Sequence, residues 1–230
     1  MTGIENKLQA IIWDMDGVLV DNSELHYQTW VDIYRTYGNG EQPLRRDRFE
    51  AVFGMRNDET VSHLFAPARV TSEFIAEVSD AKEALYRQRL QGNVQALPGV
   101  RAWLAYWPAV GAKQALASSA PQPNIDAILT ELQVEPFFDA IVSAEAGGIS
   151  RGKPAPDIFL EAARRLGVAP ANCLVIEDAM VGIQAAKSAG MRCIAVTTTH
   201  ARNDLVEADR VVATLAELPP DRVAARWPEI

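Results

Sequence analysis

The chain has 230 residues, 48% of them hydrophobic, which excludes a disordered chain and is enough for one large core or a core with a smaller attached unit. With 30 acidic against 22 basic residues, the net charge of -8 excludes any general attraction to nucleic acid or an anionic membrane. No apolar stretch reaches the roughly 18 residues of a membrane span, and the short polar start, Met1 to Gln9, lacks the pattern of a secretion signal. A soluble, cytoplasmic protein with no nucleic-acid or membrane partner is expected. Oligomeric state is not legible. The two cysteines, Cys173 and Cys193, lie in apolar runs with no metal-ligand spacing between them and read as core residues.

In chain order, the apolar run from Leu8 to Trp13 stops at acidic residues and Gly17, as a buried parallel strand does where its end meets a loop. From Ser23 to Gln91 no comparable run occurs, and Tyr27, Trp30, Tyr34 and Tyr37 recur at helical spacing, which predicts an all-helical insertion. Within it Asn57, followed by Asp58 and Glu59, predicts a helix start capped by the short amide side chain. Pro98-Gly99 marks a turn. Beyond it, strands are predicted at Lys113 to Ala117, Ala140 to Ser143, Leu174 to Ile176 and Cys193 to Val196. Between them Ile125, Ile128, Leu129 and Leu132, then Phe159, Ala162, Ala163 and Leu166, follow helical spacing. Such alternation predicts a parallel sheet covered by helices on both faces, with ligands bound beyond the strands' carboxyl ends.

Four polar clusters sit at those ends. In Asp14-Met15-Asp16-Gly17-Val18, two carboxylates one residue apart suit a nucleophile beside a proton carrier, although an acidic turn with glycine has the same composition. Ser118-Ser119 suits phosphate oxygens or an ordinary helix cap. Lys153, between Gly152 and Pro154 with Pro156 beyond, stands on stiffened backbone and is either a fixed cation or a surface charge. Glu177-Asp178 ends a buried run, where adjacent acids need a cation or donors; hard oxygens without His or Cys point to magnesium, with a capping Asp178 as the alternative.

In this order the clusters resemble the four-motif signature of the haloacid dehalogenase superfamily, in particular its β-phosphoglucomutase-like phosphatases, through Ile11 to Asp21, Gly152 to Asp157 and Glu177 to Ile183. The resemblance implies a Rossmann-like core, residues 1–20 and 93–230, with an inserted α-helical cap, residues 21–92. It implies a magnesium-dependent phosphatase acting on a small phosphorylated metabolite through an aspartyl-phosphate intermediate, or, as the alternative, a phosphosugar mutase. By that likeness Asp14 is the nucleophile and Asp16 the general acid and base, while Ser118 and Lys153 hold phosphoryl oxygens. Magnesium would be bound by Asp14, the Asp16 carbonyl and Asp178, supported by Glu177. Carboxylate and phosphate cannot approach without cationic charge between them.

Ser119, with His26, Trp30, Arg56 and Asn57 from the cap, are candidate substrate contacts, a packing role for His26 being the alternative. Rival chemistries fit less well. A haloacid dehalogenase lacks the second acid present here as Asp16, and a Schiff-base mechanism would rest on Lys82, the only lysine of the insertion, inside a long predicted helix. A signalling receiver is much shorter and carries no such insertion.

Overall fold

The computed structural model describes residues 7–38, 42–145, 149–227 and 229; most of the polar start therefore lies outside the described residues. The first strand, β1 (Ala10–Trp13), is followed by four helices: α1 (Ser23–Tyr37), α2 (Arg46–Glu50), α3 (Asn57–Leu64) and α4 (Ser72–Leu90). Then come α5 (Val100–Ala109), β2 (Lys113–Ser118), α6 (Gln122–Leu132), β3 (Ala140–Ser143) and α7 (Asp157–Leu166). The chain ends with β4 (Cys173–Glu177), α8 (Met180–Ser188), β5 (Arg192–Val196), β6 (Arg210–Val212) and α9 (Pro220–Arg226). All strands pair in parallel in the order β3-β2-β1-β4-β5-β6.

Alternation along β1 explains why the sheet is covered twice. Ile11 and Trp13 point into a core shared with Val100, Trp103, Leu104 and Trp107 of α5 and Ile125, Ile128 and Leu129 of α6. Ala10 and Ile12 point into the opposite core, with Ile158, Phe159 and Ala162 of α7 and Ile183 of α8. Within the first core Trp13 Nε1 donates to Gln114 Oε1 at 3.0 Å. Cys173 and Cys193 are free and buried, as their apolar surroundings predict, and burial pushes the Cys173 thiol up to about 12.

The helices α1 to α4 have a separate core of Trp30, Ile33, Tyr34, Phe49, Val61, Leu64 and Val78. The architecture is thus a Rossmann-like core with an inserted α-helical cap. No helix of the described residues is long and apolar enough to cross a membrane. The strand β6 has no counterpart in the sequence reading, because Arg210-Val211-Val212 is a three-residue edge strand that begins with a charge. β1 lies between β2 and β4, so the order reverses at β1, and a crevice opens there at the carboxyl edge.

Candidate active site

Side chains from four segments meet at that edge. Asp14 follows β1 directly, and its amide donates to Ile176 O at 3.0 Å, fixing it at the middle of the sheet. Ser118 is the last residue of β2 and Glu177 the last of β4, while Lys153 enters from the loop before α7. Lys153 Nζ donates to Asp14 Oδ1 and to Glu177 Oε1, both at 2.6 Å, and all three residues are buried. The surface-charge alternative for Lys153 is thereby excluded. Burial disfavours its ammonium, but the two carboxylates outweigh that and hold its pKa above the usual lysine range.

Glu177 is equally committed. Its Oε2 accepts the amides of Asp178 at 2.8 Å and Ala179 at 2.9 Å, ahead of α8. Gly182 makes room for it, since a Cβ there would stand 1.7 Å from Glu177 Oε1. Asp178 Oδ2 accepts from Thr199 Oγ1. It packs on Gly17, whose φ of +80° and lack of Cβ are both needed, because a Cβ would lie 2.0 Å from that same oxygen. Asp178 does not cap α8; Ala179 occupies that position.

Asp14, Glu177 and Asp178 offer carboxylate oxygens within 4.8 Å of one another. Burial, and repulsion from its acidic neighbours, push the Asp14 carboxyl up to about 7 against the opposing pull of Lys153. The same causes push Asp178 well above the carboxylate range. Three buried acids sharing one ammonium leave uncompensated negative charge, and an all-oxygen donor set fits a hard divalent cation.

The Asp16 carboxylate lies outside that trio. Asn22 Nδ2, just ahead of α1, donates to Asp16 Oδ1 and to the Tyr86 hydroxyl of α4, both at 2.6 Å, so Asn22 links Asp16 to the cap. Burial raises the Asp16 pKa, partly offset by Asn22 and by the charge of Lys82. His26 stacks on Tyr86 with ring centroids 4.1 Å apart and places Nε2 3.8 Å from Asp16 Oδ2. Burial and Lys82 hold the His26 pKa well below its usual value, so the imidazole is neutral and the contact is not an ion pair. Among the described residues His26 Nε2 has no hydrogen-bond partner.

An inner chamber is lined by Asp14, Asp16, Ser118, Lys153, Glu177 and Asp178. It shares Asp16, Phe53, Gly54 and Ser119 with an outer chamber between cap and core. Of the cap candidates, His26, Trp30 and Asn57 line the outer chamber. Asn57 is the first residue within α3 rather than its cap, and its side chain donates to Glu83 Oε1 at 2.8 Å because a buried carboxylate is the stronger acceptor. Arg56 departs from expectation and lines neither chamber. Its guanidinium turns to Asp58, 3.3 Å away, and its stem rests against Gly152, drawn to the rim by the acids that open α3. Ser118 Oγ accepts from the Ala120 amide at 3.1 Å, an ordinary turn contact that leaves its hydroxyl proton available.

Sequence reasoning overlooked Asn22, Tyr86, Glu83, Asn124 and Thr199, and set Lys82 aside. A signal existed for two of them: Val78, Lys82, Tyr86 and Leu90 fall on one buried stripe of α4, where a charge demands a partner. That partner is Glu83, 2.7 Å away.

A parallel α/β core thus gathers two aspartates, a lysine and an acid pair at one crevice beneath a helical cap. The chain belongs to the haloacid dehalogenase-like hydrolases, whose family model matches residues 8–190. It is 32% identical over 216 residues to a phosphorylated carbohydrates phosphatase of Thermotoga maritima, covering 91% of this chain and 95% of that one. It is also 32% identical over 226 residues to the β-phosphoglucomutase of Bacillus subtilis, covering 96% of each. The solved β-phosphoglucomutase of Clostridium difficile superposes with a TM-score of 0.86 at 27% identity, covering 96% of this chain and 98% of that one.

Proposed function

We propose that this enzyme is a phosphatase that hydrolyses a small phosphomonoester, a sugar phosphate or similar metabolite, through a phosphorylated Asp14. The observation that carries the reading is the division of labour between the two aspartates. Asp14 is gripped by Lys153 beside Glu177 and Asp178, whereas Asp16 is held apart by Asn22, itself bonded to Tyr86, at the junction of the two chambers.

In the first half-reaction an Asp14 carboxylate oxygen attacks phosphorus as the ester oxygen departs, and Asp16 gives that oxygen its proton. In the second, Asp16 takes a proton from water as the water attacks the same phosphorus, and Asp14 is released with inorganic phosphate. A buried acid with a raised pKa suits a group that must begin protonated. Lys153 would hold an equatorial phosphoryl oxygen, and the Ser118 hydroxyl would donate to another. When bound by Asp14, Asp178 and the Asp16 carbonyl, with Glu177 in support, magnesium would supply the charge that lets the nucleophile and the phosphate approach. The cap closes the outer chamber over the substrate body, with His26, Trp30, Asn57 and Ser119 facing it.

The likeness to a mutase gives a second reading. A mutase must grip the phosphate it is not transferring. The loop Ser118-Ser119-Ala120-Pro121-Gln122-Pro123 contains no lysine, and Arg56 lies outside the chamber, so hydrolysis is favoured. The test supplies an anomeric glucose phosphate with magnesium and a trace of glucose bisphosphate, and follows both free phosphate and the isomeric product. Phosphate release is expected; fast bisphosphate-dependent isomerisation with little free phosphate establishes the mutase instead.

A further inference from the structure

The outer chamber carries a charge arrangement that limits what can enter it. Its charged lining residues are Asp16, Lys82 and Glu83. Lys82 and Glu83 are each more than nine-tenths buried, with Nζ 2.7 Å from Oε1. Glu83 is fixed from three elements: Lys82 on its own helix, Asn57 of α3 on Oε1 at 2.8 Å, and Asn124 of the core helix α6 on Oε2. Burial opposes its charge, but Lys82 and the donors from Lys82, Asn124 and Asn57 outweigh it and hold the carboxyl below its usual range. The single lysine of the chamber is therefore already neutralised, and Asp16 adds another acid. Glu145, after β3, lies close enough to feel both Glu83 and Arg56, and Arg56 turns to Asp58. The remaining polar lining is neutral: Asn57, Thr60, Asn124, Ser119 and His26, beside the faces of Trp30 and Phe53.

We propose that Glu83 is a specificity-determining residue that excludes a second phosphate, so that the enzyme accepts monophosphates with an uncharged, hydroxyl-bearing body and rejects the corresponding bisphosphates. This rests on the reading of the inner chamber as the phosphoryl-transfer site. A distal phosphate dianion would meet a carboxylate that cannot swing away, because three donors hold it, and no free cation among the residues lining the chamber. A hydroxyl meets amides and the open His26 Nε2 at no electrostatic cost.

The experiment follows hydrolysis of p-nitrophenyl phosphate with magnesium and measures its competitive inhibition by matched monophosphates and bisphosphates of the same hexose and hexitol. Absence of that hydrolysis in the wild type would refute the phosphatase reading itself, separately from the role of Glu83. In the wild type the bisphosphate is expected to bind at least about tenfold more weakly than its monophosphate, tenfold being about 1.4 kcal/mol. Glu83→Gln should bring the two inhibition constants together, and Glu83→Asp, which keeps the charge, should preserve the gap; Glu83→Asn removes the charge if the glutamine variant does not fold. The proposal is overturned if the wild type binds both alike or binds neither, if the amide variants keep the gap, or if the aspartate variant loses it.

Discussion

Replacing Lys153 by methionine separates its charge from its stem, which packs with the ammonium 5.0 Å from the Phe159 ring centre. The methionine keeps most of the apolar contact and removes the cation bonded at 2.6 Å to both Asp14 and Glu177. Three carboxylates whose oxygens lie within 4.8 Å of one another then remain without an internal counter-charge. Removing one partner of a buried pair costs about 3–5 kcal/mol, and at about 2–4 °C per kcal/mol for a chain of this size the melting temperature should fall by about 6–20 °C in chelator. Thermal unfolding followed by circular dichroism reads this directly. Magnesium should recover part of the loss, because it supplies charge to the same oxygens. It should not recover turnover, which lacks the donor to the transferring group and should stay down by about 10²–10³-fold. A variant that melts like the wild type in chelator and turns over normally would refute the assignment of Lys153 as the structural and catalytic cation.

Asp16→Ala should slow hydrolysis of alkyl phosphates by about 10²–10⁴-fold and be partly rescued on p-nitrophenyl phosphate, whose leaving group needs no proton; equal losses on both esters would remove the general-acid role. Asp14, raised from 3.8 to about 7, binds a proton in the folded state across that window and not in the unfolded one, so it lowers stability progressively as pH rises from 3.8 to about 7. Because magnesium competes with that proton, its stabilisation in thermal melts should be small near about pH 5 and larger near about pH 8; a shift independent of pH would contradict metal binding at Asp14. Gly182→Ala should lower both stability and activity, since its Cβ would fall 1.7 Å from Glu177 Oε1, and a wild-type melting temperature would show that Glu177 can relocate.

The core was legible because its strands are apolar on both faces and stop at chemistry. Cys173 to Ile176 could only be a buried strand, and Glu177-Asp178 after it could only sit at its end. The cap was legible as helical but not as a site. Helical periodicity says which residues face inward, and in α4 it placed Lys82 on the buried stripe without naming what it meets. Glu83 finds Asn124 41 positions away along the chain, and Asp178 finds Thr199 21 away, and neither pairing leaves a trace in local pattern. The direction of the Arg56 side chain is illegible for a related reason. Its position before α3 was clear, but whether it turned into the chamber or toward Asp58 depended on side-chain geometry at the rim.

The proposed mechanism places the phosphoryl group on Asp14 during turnover. It is tested most directly by mixing enzyme, magnesium and a radiolabelled phosphomonoester, quenching in acid during turnover and locating the label by peptide mapping. Label is expected on the peptide containing Asp14, chased by unlabelled substrate and absent from Asp14→Asn, which should also release no phosphate. Phosphate release by Asp14→Asn at a wild-type rate, or label on any other residue, would contradict it.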